Sequence, residues 1–214
     1  MEGVPMAYST FTLSQITHQF HIDIDEKSNL FGNVREATLR SEFLAQLNEL
    51  TPLALSVATE KARSELIIAP VLLELWRMTG QQIGFFSGVI FDVDKSQGLD
   101  GYCDYILTRT PRQLFVEAPI VMLVEAKNED MKSGYGQCLA EMLAAQRFNA
   151  ADGHGADRVY GAVTTGERWK FLELAETTAR IDSEDYYLEH IGKIVGILLH
   201  LLGNPPTPDG TAHS

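Results

Sequence analysis

The chain has 214 residues, 45% hydrophobic and 21% charged, with a formal net charge of −12. Those proportions fit a globular protein with a sizeable core and exclude a disordered or fibrous chain. The charge excludes a broad basic face of the kind that grips long nucleic acid, although Lys61, Arg63, Arg109, Arg112, Lys127 and Lys132 leave room for a local basic lining.

The first residues, "MEGVPMAYST", lack the basic start and apolar stretch of a secretory signal. The most apolar run, "IVGILLHLL" from Ile194 to Leu202, is about half of what a helix needs to cross a bilayer. Cys103 and Cys138 sit in no metal-ligand spacing. A reducing, cytoplasmic setting is therefore expected, with no membrane span and no disulfide framework.

Residues 1–30 read as a partly helical lead-in, "FTLSQITHQF", followed by the alternating "HIDID". Leu39, Phe43, Leu47 and Leu50 then recur at helical spacing, and Pro52 is expected to punctuate the chain. A second helical tract carries a stripe of Ala62, Leu66, Ala69, Leu73 and Trp76 that runs through Pro70. An interior proline costs ~3 kcal/mol in a regular helix, so a kink or break is expected near Leu66. After Gly80 come three β-branched and aromatic runs, "IGFFSGVIFDVD", "LDGYCDYILTRT" and "IVMLVEAK", predicted as consecutive strands of a meander. A helix over "SGYGQCLAEMLAAQRFN" follows, with Ser133 as its expected N-cap. Two strands, "RVYGAVTT" and "RWKFLELAE", flank a "TTGE" turn, and a last helix runs from about Tyr187 to Leu202. The order predicts an α+β (mixed α/β) domain, a mixed sheet of about five strands flanked by helices. Residues 1–50 are expected to form a helical extension packed on a core of residues 51–203, with 204–214 a disordered tail.

Chemistry concentrates in the third predicted strand. Side chains alternate along a strand, so Val121, Leu123, Glu125 and Lys127 are expected on one face. In the strand before it, "YCDYIL" sets Asp104 in an apolar run, where a carboxylate needs a partner or a metal. Adjacent strands can bring Asp104 to Glu125 and Lys127. Two converging carboxylates repel unless a cation separates them, and oxygen ligands with open positions suit Mg²⁺ or Mn²⁺. Such a cation serves phosphodiester hydrolysis by acidifying water and neutralising phosphate charge, while Lys127 steadies the attacking oxygen. The alternatives are a buried Asp104–Lys127 ion pair that needs no metal and a plain helix pair between Lys61 and Glu65. The "GYG" of Gly134 to Gly136 allows close backbone approach without the pattern of a nucleotide-binding loop.

Asp104 in "GYCDYIL", the following "VEAK" and a helix bearing Gln137 in "GYGQCLAEM" together resemble the PD-(D/E)xK nuclease superfamily, the restriction-endonuclease-like fold. The resemblance covers roughly Glu60 to Leu174 and is one of order and spacing. It implies Asp104, Glu125 and Lys127 as the catalytic set, and Glu65 as a further metal-binding acid from the helix before the sheet. Asp104, Glu125 and Glu65 would then hold Mg²⁺ or Mn²⁺, with Gln137 matching the glutamine of some branches. The stretch "VYGAVTTGERWKFLEL" is similar to the strand–turn–strand of the nuclease domain of type I restriction motor subunits. DNA as substrate and pairing into homodimers follow as expectations, and the apolar last helix is open to two readings, dimer surface or core. The chain departs from the family at Cys103, which stands where the eponymous proline would. The acidic charge keeps a second expectation open, a catalytically inactive member of the fold acting as a binding or assembly module.

Overall fold

The computed structural model describes residues 7–154 and 158–203, so the tail expected over 204–214 lies outside the described residues. A short lead-in helix, α1 (Leu13–Phe20), is capped by Thr12, whose hydroxyl accepts from the Gln15 N–H. Strand β1 (Asp23–Asp25) follows, then α2 (Ser41–Val57). Pro52 lies inside α2 and does not end it. The carbonyl it leaves without a donor belongs to Asn48, and both residues are on the exposed side, where water can satisfy it. The boundary expected at residue 50 thus falls within one continuous helix.

The irregularity expected near Leu66 is present, as a wider turn rather than a break. Helix α3 (Glu60–Arg63) widens into a π-helical turn over Ser64–Ile68 before α4 (Ala69–Met78) resumes. The wider turn accommodates a proline that has no N–H for the Leu66 carbonyl and whose ring crowds it. Tyr105 fixes the turn from the sheet, its phenol 2.6 Å from Ser64 Oγ.

The meander forms as read: β2 (Gly84–Ile90), β3 (Tyr102–Thr108) and β4 (Ile120–Ala126) pair antiparallel in sequence. Helix α5 (Met131–Ala151) crosses over, and β5 (Val159–Thr164) lies parallel to β4. Strand β6 (Arg168–Ala175) returns antiparallel across the "TTGE" turn. Among the described residues the sheet has eight strands, against the five or so expected. Beyond β6 lie the short β7 (Thr178–Ile181) and β8 (Tyr186–Tyr187), and β1 adds parallel to β7, giving the order β1-β7-β6-β5-β4-β3-β2. The first 50 residues therefore contribute a strand as well as helices. Strands of two to four residues carry too little alternation to be seen in sequence.

Apolar side chains fill both faces, which is why β4 is buried at every position and reads as a continuous apolar run. Met122, Val124 and Ala126 join one core with α2, α4 and the last helix, α6 (Ile191–Leu201). Leu123 joins the other, beneath α5 and α1. The apolar stripe of α6 (Ile194, Val195, Ile197, Leu198 and Leu201) is inside the first core, so it offers no dimer surface. Asp130 caps α5 with its carboxylate on the Lys132 N–H at 3.0 Å; the expected cap, Ser133, already lies inside the helix.

The two glycines of "GYG" serve packing. A Cβ on Gly134 would lie 3.1 Å from Cγ and Cε of Lys127, and one on Gly136 would lie 2.3–2.6 Å from backbone atoms of Phe11, Thr12 and Leu13. Alanine inside a helix is intrinsically favoured over glycine by ~1 kcal/mol, but backbone cannot move aside as a side chain can. Gly136→Ala is expected to lose about 1–3 kcal/mol of stability, read as a lower urea midpoint at unchanged slope.

Candidate functional site

Where β4 ends, its last residues are held from both sides. The Ala126 N–H donates to Asp104 Oδ2 at 2.8 Å, tying β3 to the end of β4. The Lys127 N–H donates to the Thr164 carbonyl at 2.8 Å, tying it to β5. The β3–β4 register pairs Tyr105 with Val124; one step further sets Asp104 opposite Glu125, and directly opposed residues share a face.

Side chains then form a chain of contacts across to α5. Lys127 Nζ donates to Glu125 Oε1 at 2.5 Å and to Gln137 Oε1 at 3.2 Å. Gln137 Nε2 donates in turn to Glu141 Oε1 at 3.1 Å. Gly134, lacking a Cβ, leaves room for the Lys127 stem to lie along the helix. Glu125 is 2% exposed and Glu141 fully buried. Each keeps one carboxyl oxygen, Oε2, buried with no protein partner.

Electrostatics follow from that burial. Desolvation, and then the nearby Asp104 charge, push the Glu125 carboxyl up to about 8, with Lys127 opposing. Burial presses the Lys127 ammonium down, but the charge and hydrogen bond of Glu125 outweigh it and leave its pKa above the ordinary value. Glu141 is raised well above the carboxylate range by burial and then by Glu125, with the Gln137 hydrogen bond acting the other way. Glu60, at the start of α3, adds negative potential at both Glu125 and Lys127.

Of the residues singled out from sequence, Glu125, Lys127 and Gln137 are in direct contact and Asp104 is tethered beside them. Glu65 is not brought into contact with them. Its carboxylate pairs with Lys61 at 2.8 Å, one helical turn back, and 59% of its side chain is exposed. The trio Glu65, Asp104 and Glu125 therefore does not assemble, and among the described residues no three His, Cys, Asp or Glu side chains form a ready metal-binding group. The "TTGE" segment is a hairpin turn whose Thr165 carbonyl and Glu167 carboxylate hold Arg63 at 3.0 and 2.8 Å.

Two acids escaped the sequence reading. Glu60 follows its helix cap, Thr59, at once and carries no pattern that marks it. Glu141 did carry one: it is an acid inside the apolar run "CLAEMLAA", one turn after Gln137.

The donor set suits a hard cation in one respect. Mg²⁺ keeps several waters and takes one or two protein carboxylates, and the unpartnered Glu125 oxygen beside Asp104 is such a pair. No known family model, no curated protein and no solved structure matches this chain.

The burial of Glu125 has a measurable consequence in metal-free protein. Its pKa is higher folded than unfolded, so the folded state binds more protons between about 4.5 and 8 and stability falls as pH rises through that window. In the presence of chelator, urea midpoints are expected to drop from pH 5 to pH 9, and Glu125→Gln to flatten that slope.

Proposed function

We propose that the chain is a nuclease-fold protein that hydrolyses phosphodiester bonds in DNA with the help of Mg²⁺ or Mn²⁺. The observation that carries this reading is the Glu125–Lys127–Gln137 contact chain at the end of a strand whose neighbour supplies Asp104. Glu125 and Asp104 would hold the cation, with Glu60 contributing negative potential from the helix side. When bound, the cation supplies positive charge beside the phosphate and lowers the pKa of water there.

Lys127 does the rest of the electrostatic work. An ammonium has three N–H donors, and two go to Glu125 and Gln137. The third is left for a phosphate oxygen, where negative charge grows as water adds to phosphorus and the bond to the leaving oxygen breaks. Because Glu125 and Gln137 fix the ammonium before substrate arrives, little reorganisation is needed in the reaction.

One observation favours a second reading, a catalytically inactive module of the same fold. Lys127 is already in contact with the acid that would hold the cation, and with the net charge of −12 a protein–protein role needs no basic surface.

Cleavage of plasmid, single-stranded DNA and RNA, each with Mg²⁺ and with Mn²⁺, separates the two. Cleavage that is lost with chelator and falls about 10²–10³-fold in Lys127→Ala is the expected result, the size being that of one removed charge-stabilising donor. No cleavage of any substrate with either ion would leave the binding module.

A further inference from the structure

Helix α5 carries a second carboxyl for which the proposed hydrolysis has no direct use. Glu141 is fully buried on the inner side of α5, near Cys103 and Cys138. An apolar residue would fill that space at lower cost, since a buried acid must be desolvated. Its Oε2 has no protein partner, and its Oε1 has one, the Gln137 amide.

The chemistry of the three groups explains that single contact. A lysine ammonium only donates, whereas an amide accepts at one end and donates at the other. Gln137 can serve Lys127 only with its oxygen turned toward Nζ. Its NH₂ then points along α5 to the position one turn on, and needs an acceptor there. Glu141 Oε1 is that acceptor at 3.1 Å, while the amide oxygen lies 3.2 Å from Lys127 Nζ. Without it, the amide could rotate and present N–H groups to the ammonium.

We propose that Glu141 is a positioning residue: as a hydrogen-bond acceptor it fixes the polarity of the Gln137 amide and so holds Lys127 beside Glu125. The function of this relay presupposes Lys127 as the working cation of the proposed hydrolysis. Because burial keeps the Glu141 carboxyl neutral well beyond the ordinary range, an uncharged amide of the same length is an adequate substitute.

The test is the orientation of the Gln137 amide in the metal-free, full-length chain, read by NMR at one fixed pH with ¹⁵N-labelled glutamine and ¹³C-labelled lysine, the resonances being assigned by their loss in Gln137→Leu and Lys127→Arg. Glu141→Leu is expected to speed solvent exchange of the Gln137 Nε2 protons and to bring them into Overhauser contact with the Lys127 Cε protons, because the amide loses its acceptor and turns. Glu141→Gln is expected to leave both readouts as in the parent chain. In cleavage assays Glu141→Leu should reduce kcat with KM unchanged. Unchanged exchange and no new contact in folded Glu141→Leu would overturn the proposal, as would Glu141→Gln behaving like the leucine variant. If the leucine variant fails to fold, Glu141→Met, with its flexible stem, is read by the same two outcomes. The NMR change together with no cleavage by the parent chain supports the positioning role and sinks only the hydrolysis.

Discussion

Everything at the end of β4 depends on the cost of keeping acids away from water. Glu125 is buried on β4 and Glu141 on α5, Asp104 lies opposite Glu125, and the cation in contact with the group is Lys127. One ammonium cannot neutralise three carboxyls. Two physical responses are open: acids stay protonated, or a further cation joins them. The raised pKa values of Glu125 and Glu141 are the first response, in protein without metal. The proposed Mg²⁺ or Mn²⁺ site is the second, and it would convert a destabilising arrangement into a working one.

The fold makes the arrangement durable. β4 is central, flanked by β3 and β5 and covered on both faces, so Glu125 cannot swing to solvent without disrupting a packed strand. Asp104 and Thr164 accept hydrogen bonds from the two backbone N–H groups that follow it, those of Ala126 and Lys127, and pin them. Gly134 lets the Lys127 stem lie against α5, and Gly136 lets the N-terminal segment close over the helix. On the opposite face, the π-helical turn forced by Pro70 is tied to the sheet through Tyr105 and Ser64.

What could be read from sequence divides along clear lines. The meander, the helix after it and the irregularity near Leu66 were legible because long runs have strong periodicity and proline has one geometry. Asp104, Glu125 and Lys127 stood out because polar residues in or at the end of apolar runs are costly, whereas Gln137 was marked only by the resemblance. By the same criterion Glu141 was visible, yet a single buried acid in a helix carried no spacing that joined it to the strand pair. Glu65 was misplaced because its position relative to the sheet depends on the turn at Ser64–Ile68, which rotates successive residues by an amount that sequence does not reveal. It meets Lys61 instead, as an ordinary helix pair. The short strands β1, β7 and β8 owe their existence to pairing with β6 or with each other, a tertiary choice invisible in segments of two to four residues.

The reading thus reduces to whether Asp104 and the unpartnered oxygen of Glu125 accept a divalent ion in preference to a proton. Crystals of the protein soaked in Mn²⁺ and measured at the manganese absorption edge test this most directly. The account requires an anomalous peak between those two carboxylates, with Lys127 still touching Gln137. A well-ordered site with no peak, or with Lys127 Nζ seated between the two acids, would contradict it.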